Sequence, residues 1–275
     1  MKRRSLLQRF AAAPHIVWAV LFIIVPLIFI AYYTFTDANG GFTLDNLVTI
    51  ASPSYLMIFL RSVMFSILAT VISLLIGYPL AYHIANMKPS TQRIAIVLVM
   101  LPMWLNFLIR TYCLKILLND QGIINSCLAL FGIEPLKLLN TSGAVIFAMV
   151  YNYLPYTILP IYTVISKMDH NLLTAASDLG CNRYQTLTKV VLPLSFSGVM
   201  SGVTMVFVPS ISTFYISDAM GGRTFSLIGD TIERQFKEAD NYNVGSALSL
   251  VLMILIIISM TIMNKYADDD GGVIV

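Results

Sequence analysis

Six long apolar stretches constrain this chain more than any other feature of its sequence. They lie near residues 14–34, 60–82, 94–114, 142–166, 190–216 and 246–264. Each is long enough to cross the hydrocarbon core of a bilayer as a helix, which takes about 20 residues. A transmembrane β-barrel would instead show short segments of alternating hydrophobicity. The pattern therefore predicts an all-α membrane protein with about six transmembrane helices.

The composition excludes a soluble enzyme. Hydrophobic residues make up 57% of the 275 residues and charged residues only 11%, whereas soluble domains carry about 25% charge. A soluble core of this length cannot hide so much apolar surface. The net charge of +3 is too small and too dispersed to indicate nucleic-acid binding.

Lysine and arginine are distributed unequally between the two sides of the predicted spans. With the N-terminus inside, ten lie in inner segments: Lys2, Arg3, Arg4, Arg9, Lys88, Arg93, Lys167, Arg183, Lys189 and Lys265. Seven lie in outer segments: Arg61, Arg110, Lys115, Lys137, Arg223, Arg234 and Lys237. Because basic residues favour the cytoplasmic side, we predict that both termini are cytoplasmic. The first apolar run is too long for a signal peptide and is interpreted as an uncleaved anchor.

Prolines lie within or at the edges of the predicted spans, at Pro26, Pro79, Pro102, Pro155, Pro160, Pro193 and Pro209. A proline removes one backbone donor and kinks a helix. In lipid, the freed backbone groups need partners inside the protein. Most of these prolines are interpreted as ordinary kinks. The pair Pro155 and Pro160 favours a span that bends or lines a cavity.

The sequence shows no motif for catalysis or metal binding. The three cysteines, Cys113, Cys127 and Cys181, fit neither a zinc site nor a disulfide scaffold. The Gly-x-x-x-x-Gly-Lys-Ser/Thr loop that binds nucleotide phosphates does not occur. We therefore predict that this chain is not an enzyme and holds no cofactor, so that the energy for any transport comes from a partner.

The loop between the fourth and fifth spans, residues 167–190, carries the most informative pattern. Asn171 can cap a short helix from Leu172 to Leu179, and Gly180 can end that helix with left-handed backbone. A second helix is predicted from Arg183 towards the membrane. The loop is therefore expected to form a helix–glycine–helix element on the inner face.

This loop resembles the signature of the permease subunits of ABC importers, in which Glu-Ala-Ala is followed by Gly and later by Leu-Pro. The corresponding residues here are Thr174-Ala175-Ala176, Gly180 and Leu192-Pro193. The resemblance implies a type I ABC importer permease fold and a short helix that docks on a cytoplasmic ATPase. The family's acidic residue is replaced by Thr174, and Asp178 is the candidate substitute. The implied coupling residues are Thr174, Ala175, Ala176, Asp178, Gly180 and Arg183.

Two outer segments sharpen the resemblance towards the spermidine/putrescine permeases. The first begins at Pro102 and reads Pro-Met-Trp-Leu-Asn-Phe-Leu-Ile-Arg. The second, from Tyr215 to Gly222, reads Tyr-Ile-Ser-Asp-Ala-Met-Gly-Gly, and resembles the end of the fifth span in those permeases. The resemblance implies a polyamine as the substrate.

A pathway for a polyamine needs carboxylates or carbonyls for the ammonium groups and aromatic faces for cation–π contact. The predicted pathway residues are Asp218, Tyr215, Trp104, Tyr153 and Asn106. An ionisable residue near membrane depth indicates function. The alternatives are that Asp218 merely bonds the turn at the helix end and that the aromatic residues form an interfacial belt. Arg110 would repel a polycation and is interpreted as structural or docking, paired with Asp120 or an acidic partner.

The resemblance also implies domains and partners. Residues 1–59 would form the N-terminal segment, first helix and first outer loop, residues 60–264 the transmembrane core, and residues 265–275 a cytoplasmic tail. The expected partners are a second permease forming a heterodimer, two ATPase subunits that bind ATP and Mg²⁺, and an extracellular or periplasmic substrate-binding protein. The expected location is a bacterial inner (plasma) membrane. The alternatives are an ABC permease for another small solute and an ion-gradient-driven carrier, which the lack of an obvious inverted repeat disfavours.

Overall fold

The structure is a computed structural model that describes residues 14–37 and 39–268. The basic cluster Lys2, Arg3, Arg4 and Arg9, on which the predicted orientation depends most, lies outside these residues, as does the tail beyond Asp268. The described residues are predominantly helical, which confirms the predicted all-α class.

We number the helices of the described residues in chain order. They are α1 (Pro14–Thr34), α2 (Asp45–Ile50), α3 (Pro53–Ala85), α4 (Pro89–Trp104), α5 (Phe107–Leu118), α6 (Ile123–Leu130), α7 (Ser142–Ser166), α8 (His170–Asp178), α9 (Arg183–Leu194), α10 (Phe196–Ile211), α11 (Tyr215–Gly221), α12 (Ile228–Lys237) and α13 (Tyr242–Asp268). Helix α1 contains a π-helical turn at Val20–Ile24, and α9 contains one at Leu187–Val191.

Four of these helices, α1, α3, α7 and α13, are long and apolar enough to cross a membrane. Two bent pairs pass the same test together. Helix α4 meets the segment Phe107–Leu130 at 92°, and α9 meets α10 at 67°. If each bent pair is one span, the total is six, which is the predicted number.

The bends lie within the predicted spans 94–114 and 190–216, where Pro102 and Pro193 were named as candidate kinks, and the turns of 92° and 67° are full breaks between helices. Helix α4 ends at Trp104, and Leu105 is extended before α5 begins. Ser195 separates α9 from α10. Both sides of each break are apolar, so the length of an apolar run does not reveal where the helix direction changes.

The described residues group into two compact units by their contacts. The first comprises the described residues up to Met57 together with Thr231–Ile254, and the second comprises Ile58–Asp230 and the described residues from Leu255 onward. The domain limits 1–59, 60–264 and 265–275 divide the chain by its resemblance to a family and stay predictions.

In the first unit, two asparagine amides bind the carbonyls at the end of α1. The Asn46 amide donates to the carbonyls of Thr34 and Thr36, at 3.1 Å and 2.9 Å. The Asn243 amide donates to the Tyr33 carbonyl at 3.1 Å and also to the Thr36 carbonyl. Because the last carbonyls of a helix have no partner within it, these side chains stabilise the end of the first span.

In the second unit, α7 is the central helix. Of its most apolar stretch 61% is buried, against 33% for α3. Glycines let its neighbours approach closely. A Cβ on Gly77 of α3 would lie 3.0 Å from the Thr157 side chain, and one on Gly198 of α10 would lie 3.1 Å from the Pro160 carbonyl. Close backbone contact through small residues is the usual way in which membrane helices associate.

Candidate coupling arm and substrate pathway

The segment 167–194, here called the arm, contains α8 and α9 joined at a glycine. Gly180 has a φ of +82°, so the predicted left-handed end of the first helix is confirmed. The predicted cap Asn171 is wrong. Helix α8 begins at His170, two residues earlier than expected, and the Asp169 carboxylate accepts the Asn171 N–H at 2.9 Å.

Helix α8 divides the predicted coupling residues between two faces. Ala176 is buried and Leu173 is half-buried, so this face packs against the same chain. Thr174, Ala175 and Asp178 are exposed. The exposed face carries a threonine, a small side chain and a carboxylate.

A reciprocal cap fixes the start of α9. The Asn182 side chain accepts the Gln185 N–H at 2.8 Å, and the Gln185 side chain accepts the Asn182 N–H at 3.0 Å. Two backbone donors of the helix start are satisfied in this way. The cap leaves Arg183 exposed at the first position of α9. Together, Asp169 and Asn182 define both helix starts of the arm.

A connected cluster joins two of the predicted pathway residues in the second unit. The ring centroids of Tyr215 and Phe107 lie 6.3 Å apart, and the Arg110 guanidinium lies 6.0 Å from the Phe107 centroid. The Arg110 Nε donates to the Asn152 side-chain oxygen at 2.7 Å. Next to Asn152, the Tyr153 hydroxyl donates to the Pro209 carbonyl at 3.3 Å.

Arg110 is a buried charge with two neutral acceptors. Its side chain is 7% exposed and Asn152 is fully buried. The guanidinium donates to Asn152 and, at 2.7 Å, to the Pro102 carbonyl. The predicted pairing with Asp120 is therefore wrong. Asn152 was missed from the sequence, although a buried arginine near membrane depth signals that a polar partner must face it.

The other predicted pathway residues lie outside this cluster. Asn106 is exposed and caps α5, because its side-chain oxygen accepts the Leu108 N–H at 2.8 Å. Trp104 is 74% exposed at the end of α4. Asp218 is exposed on α11, while its backbone carbonyl accepts the Gly222 N–H. The helix-end interpretation of Asp218 thus applies to its backbone and leaves its carboxylate facing outward.

A family model described as "Binding-protein-dependent transport system inner membrane component" matches residues 73–270. The chain belongs to this family. It is 36% identical over 256 residues to the spermidine/putrescine transport system permease protein PotB of Haemophilus influenzae, covering 90% of each chain. It is also 36% identical over 246 residues to the Escherichia coli protein of the same name, covering 86% of this chain and 90% of that one.

A third relative is the inner membrane ABC transporter permease protein YdcU of Escherichia coli, 27% identical over 266 residues, which covers 90% of this chain and 85% of that one. Among solved structures, a bacterial ABC transporter involved in the import of the acidic polysaccharide alginate matches with a TM-score of 0.79 at 17% identity. That match covers 96% of this permease and 95% of the other chain.

The MetNI methionine ABC transporter, in an inward-facing conformation, matches with a TM-score of 0.61 at 14% identity and covers 80% of this permease and 99% of that chain. Identities this low show the fold alone. They confirm the predicted type I ABC importer permease fold, and family membership makes this chain a multi-pass membrane subunit of a transport system. The matched range contains every predicted coupling and pathway residue, whose individual roles stay predictions.

Proposed function

We propose that this permease forms part of the translocation pathway of an ATP-driven polyamine importer in a bacterial inner membrane. The observation that carries the proposal is the 36% identity, over 90% of each chain, to a permease named for spermidine and putrescine. The alginate and methionine transporters are only 17% and 14% identical. They support the fold, and the solute is inferred from the more similar relatives.

The chemistry of α11 supports a cationic substrate. Asp218 presents an exposed carboxylate, and Tyr215 lies on the same side of the helix one turn earlier. A carboxylate beside an aromatic ring offers both an ion pair and a cation–π contact to an ammonium group. We assign the first contact with the polycation to these two side chains. Trp104 supplies a further exposed aromatic face.

The exposed face of α8 supports docking on a cytoplasmic ATPase. Thr174 and Ala175 are exposed on this face, and the exposed Asp178 supplies the charge that the family places at the position of Thr174. We place the arm and both termini in the cytoplasm. ATP and Mg²⁺ then belong to two partner ATPase subunits, and this permease needs no cofactor of its own.

We further propose a second permease, forming a heterodimer, and a substrate-binding protein as partners. A related alginate transporter has been crystallised with its periplasmic substrate-binding protein, which supports the second of these. In the complete importer, ATP would favour the outward-facing arrangement of the bundle, and hydrolysis would return it inward. This requires that ATP bind the two arrangements with different affinities.

Uptake of labelled spermidine and putrescine tests the proposal in cells that lack this chain, with and without its restoration. ATP and the proton gradient are depleted separately. We expect uptake that depends on the restored chain and on ATP. An equal uptake in both strains would remove the polyamine assignment, and loss of uptake with the proton gradient at constant ATP would favour an ion-driven carrier.

A further inference from the structure

The break at Ser195, here called the elbow, joins the arm to the transmembrane helix α10 through a turn of 67°. A break in a helix leaves backbone groups without their usual partners, and in lipid these groups need partners from the protein. Ser195 is fully buried. Its hydroxyl donates to the Leu192 carbonyl at 3.2 Å, so the side chain stabilises the end of the arm.

Tyr78 of α3 extends this arrangement to another helix. Its hydroxyl lies 2.9 Å from the Ser195 hydroxyl oxygen. Either hydroxyl can be the donor of this pair; with the Ser195 hydrogen directed at Leu192, Tyr78 donates and the three groups form one chain of hydrogen bonds. Such chains are stronger in a low-dielectric interior than in water. The elbow is thereby attached to α3, 117 residues earlier in the sequence.

The arm forms a continuous connection from α8 to the elbow. Leu173 of α8 and Val191 of α9 line one small cavity of about 20 Å³ together with Tyr82 of α3. On the far side of the elbow, Gly198 of α10 approaches the backbone of α7. We therefore expect a displacement of α8 to reach α9 and the elbow. From the elbow it can pass to α3 through the Tyr78–Ser195 hydrogen bond, or to α7 through the contact at Gly198.

We infer that the hydrogen bond between Tyr78 and Ser195 transmits the motion of the arm to α3 during ATP-driven import. This inference rests on the proposed docking of α8 on an ATPase. If the bond is kept while the elbow rotates, α3 must move with it. Both residues are positioning residues, because they act through the arm and touch neither ATP nor the solute. The competing routes are packing around the small cavity between α8, α9 and α3, and the contact of Gly198 with α7.

Two single-group deletions separate the routes. Tyr78→Phe and Ser195→Ala each remove one hydroxyl of the pair. Tyr82→Phe is the matched control on α3, because it removes the hydroxyl of a half-buried tyrosine one turn later but keeps the ring that lines the small cavity, and no residue of the described chain hydrogen-bonds that hydroxyl. Ser201→Ala is the control on α10, because the Ser201 hydroxyl bonds only its own helix, at the Ser197 carbonyl, at 2.9 Å.

The complete importer, reconstituted in vesicles, gives the number of solute molecules imported per ATP hydrolysed. We expect this ratio to fall about two- to tenfold in Tyr78→Phe and in Ser195→Ala, the range that one hydrogen bond supports. The double variant should be no worse than Ser195→Ala, which already removes the shared bond together with the bond to Leu192. The controls should match the unmodified importer. An unchanged ratio in Tyr78→Phe, or additive losses in the double variant, would overturn the inference.

A second readout needs no polyamine. ATP hydrolysis by the complete importer in the absence of solute should rise about two- to tenfold in both variants, because the ATPase is then less restrained by the bundle. If the unmodified importer moves a different solute, the polyamine assignment fails while this readout still decides the inference. Hydrolysis equal to that of Tyr82→Phe would contradict it. If hydrolysis is indifferent to the permease altogether, the docking of α8 and the inference fail together.

Discussion

At the scale of single residues, the guanidinium of Arg110 is a charged group buried in the described bundle. A charged group removed from water must have its donors bonded, and both acceptors here are neutral. The carbonyl of Pro102 lies at the end of α4, where it also accepts the Leu105 N–H at 3.3 Å. Arg110 therefore joins the break between α4 and α5 to α7, through Asn152.

Replacing Asn152 by Leu should destabilise the permease, because the substitution keeps the volume and removes the acceptor of the Arg110 Nε. An unsatisfied hydrogen bond to a charged group costs about 1.5–3 kcal/mol. The measurement is the melting temperature of the purified importer. Thr163→Val is the control on the same helix, because the exposed Thr163 hydroxyl bonds only its own helix. Equal melting temperatures for the two variants would show that Asn152 does not hold the charge.

Removing the charge of Asp218 tests the proposed contact with the polycation. Asp218→Asn should lower the rate of polyamine uptake at low substrate concentration about five- to tenfold, since a charge-assisted contact becomes a neutral one. The loss should shrink with added salt, which screens exposed charges. Glu238→Gln neutralises another exposed carboxylate and should leave uptake unchanged. Equal effects of the two substitutions would show that Asp218 acts only through the overall surface charge.

At the scale of helices, the glycine between α8 and α9 determines the geometry of the arm. Gly180→Val should lower the solute imported per ATP, because a left-handed backbone with a branched side chain costs about 1–2 kcal/mol and displaces α8. Gly132→Val is a matched control. Gly132 has a φ of +73°, and neither glycine has a neighbour within 4 Å of a built Cβ. Equal losses in both variants would show that Gly180 matters for folding and not specifically for coupling.

The helices also show which features a sequence reveals. The arm was predicted almost completely, since its glycine and its helix starts are local signals within a few residues. Its first cap was misplaced by two residues, at Asn171 instead of Asp169. The break before α5 carried a local signal too, because Asn106 is a favourable cap. Pro102 was named as a candidate kink in this run, but the sequence did not show that the bend would be a full break of 92°.

Contacts between distant helices were not predictable in the same way. Arg110 and Asn152 are 42 residues apart, and Tyr78 and Ser195 are 117 apart. In lipid, both faces of a span are apolar, so hydrophobic periodicity does not indicate which side chains meet. The sequence supplied the number of spans and the family. The side-chain pairs that hold the two breaks emerge only when the helices are packed.

At the scale of the whole molecule, the proposed orientation connects every functional assignment, since α8 can dock on an ATPase only from the cytoplasm. The chain's own cysteines test this orientation. Cys127 of α6 is exposed and should face outward, whereas Cys181 lies in the arm and should face inward. Cys113 is also exposed and is replaced by serine in the test.

In the Cys113→Ser background, a membrane-impermeant maleimide added to spheroplasts should label Cys127 at once and Cys181 only after the membrane is opened. Cys127→Ser and Cys181→Ser variants assign each signal to its residue. Because Cys181 is partly accessible and lies three residues after the end of α8, its labelling should also slow when the ATPase covers α8, which links orientation to docking. Labelling in the reverse order would place the arm outside, and an ATPase driven from the cytoplasm could then not act through it.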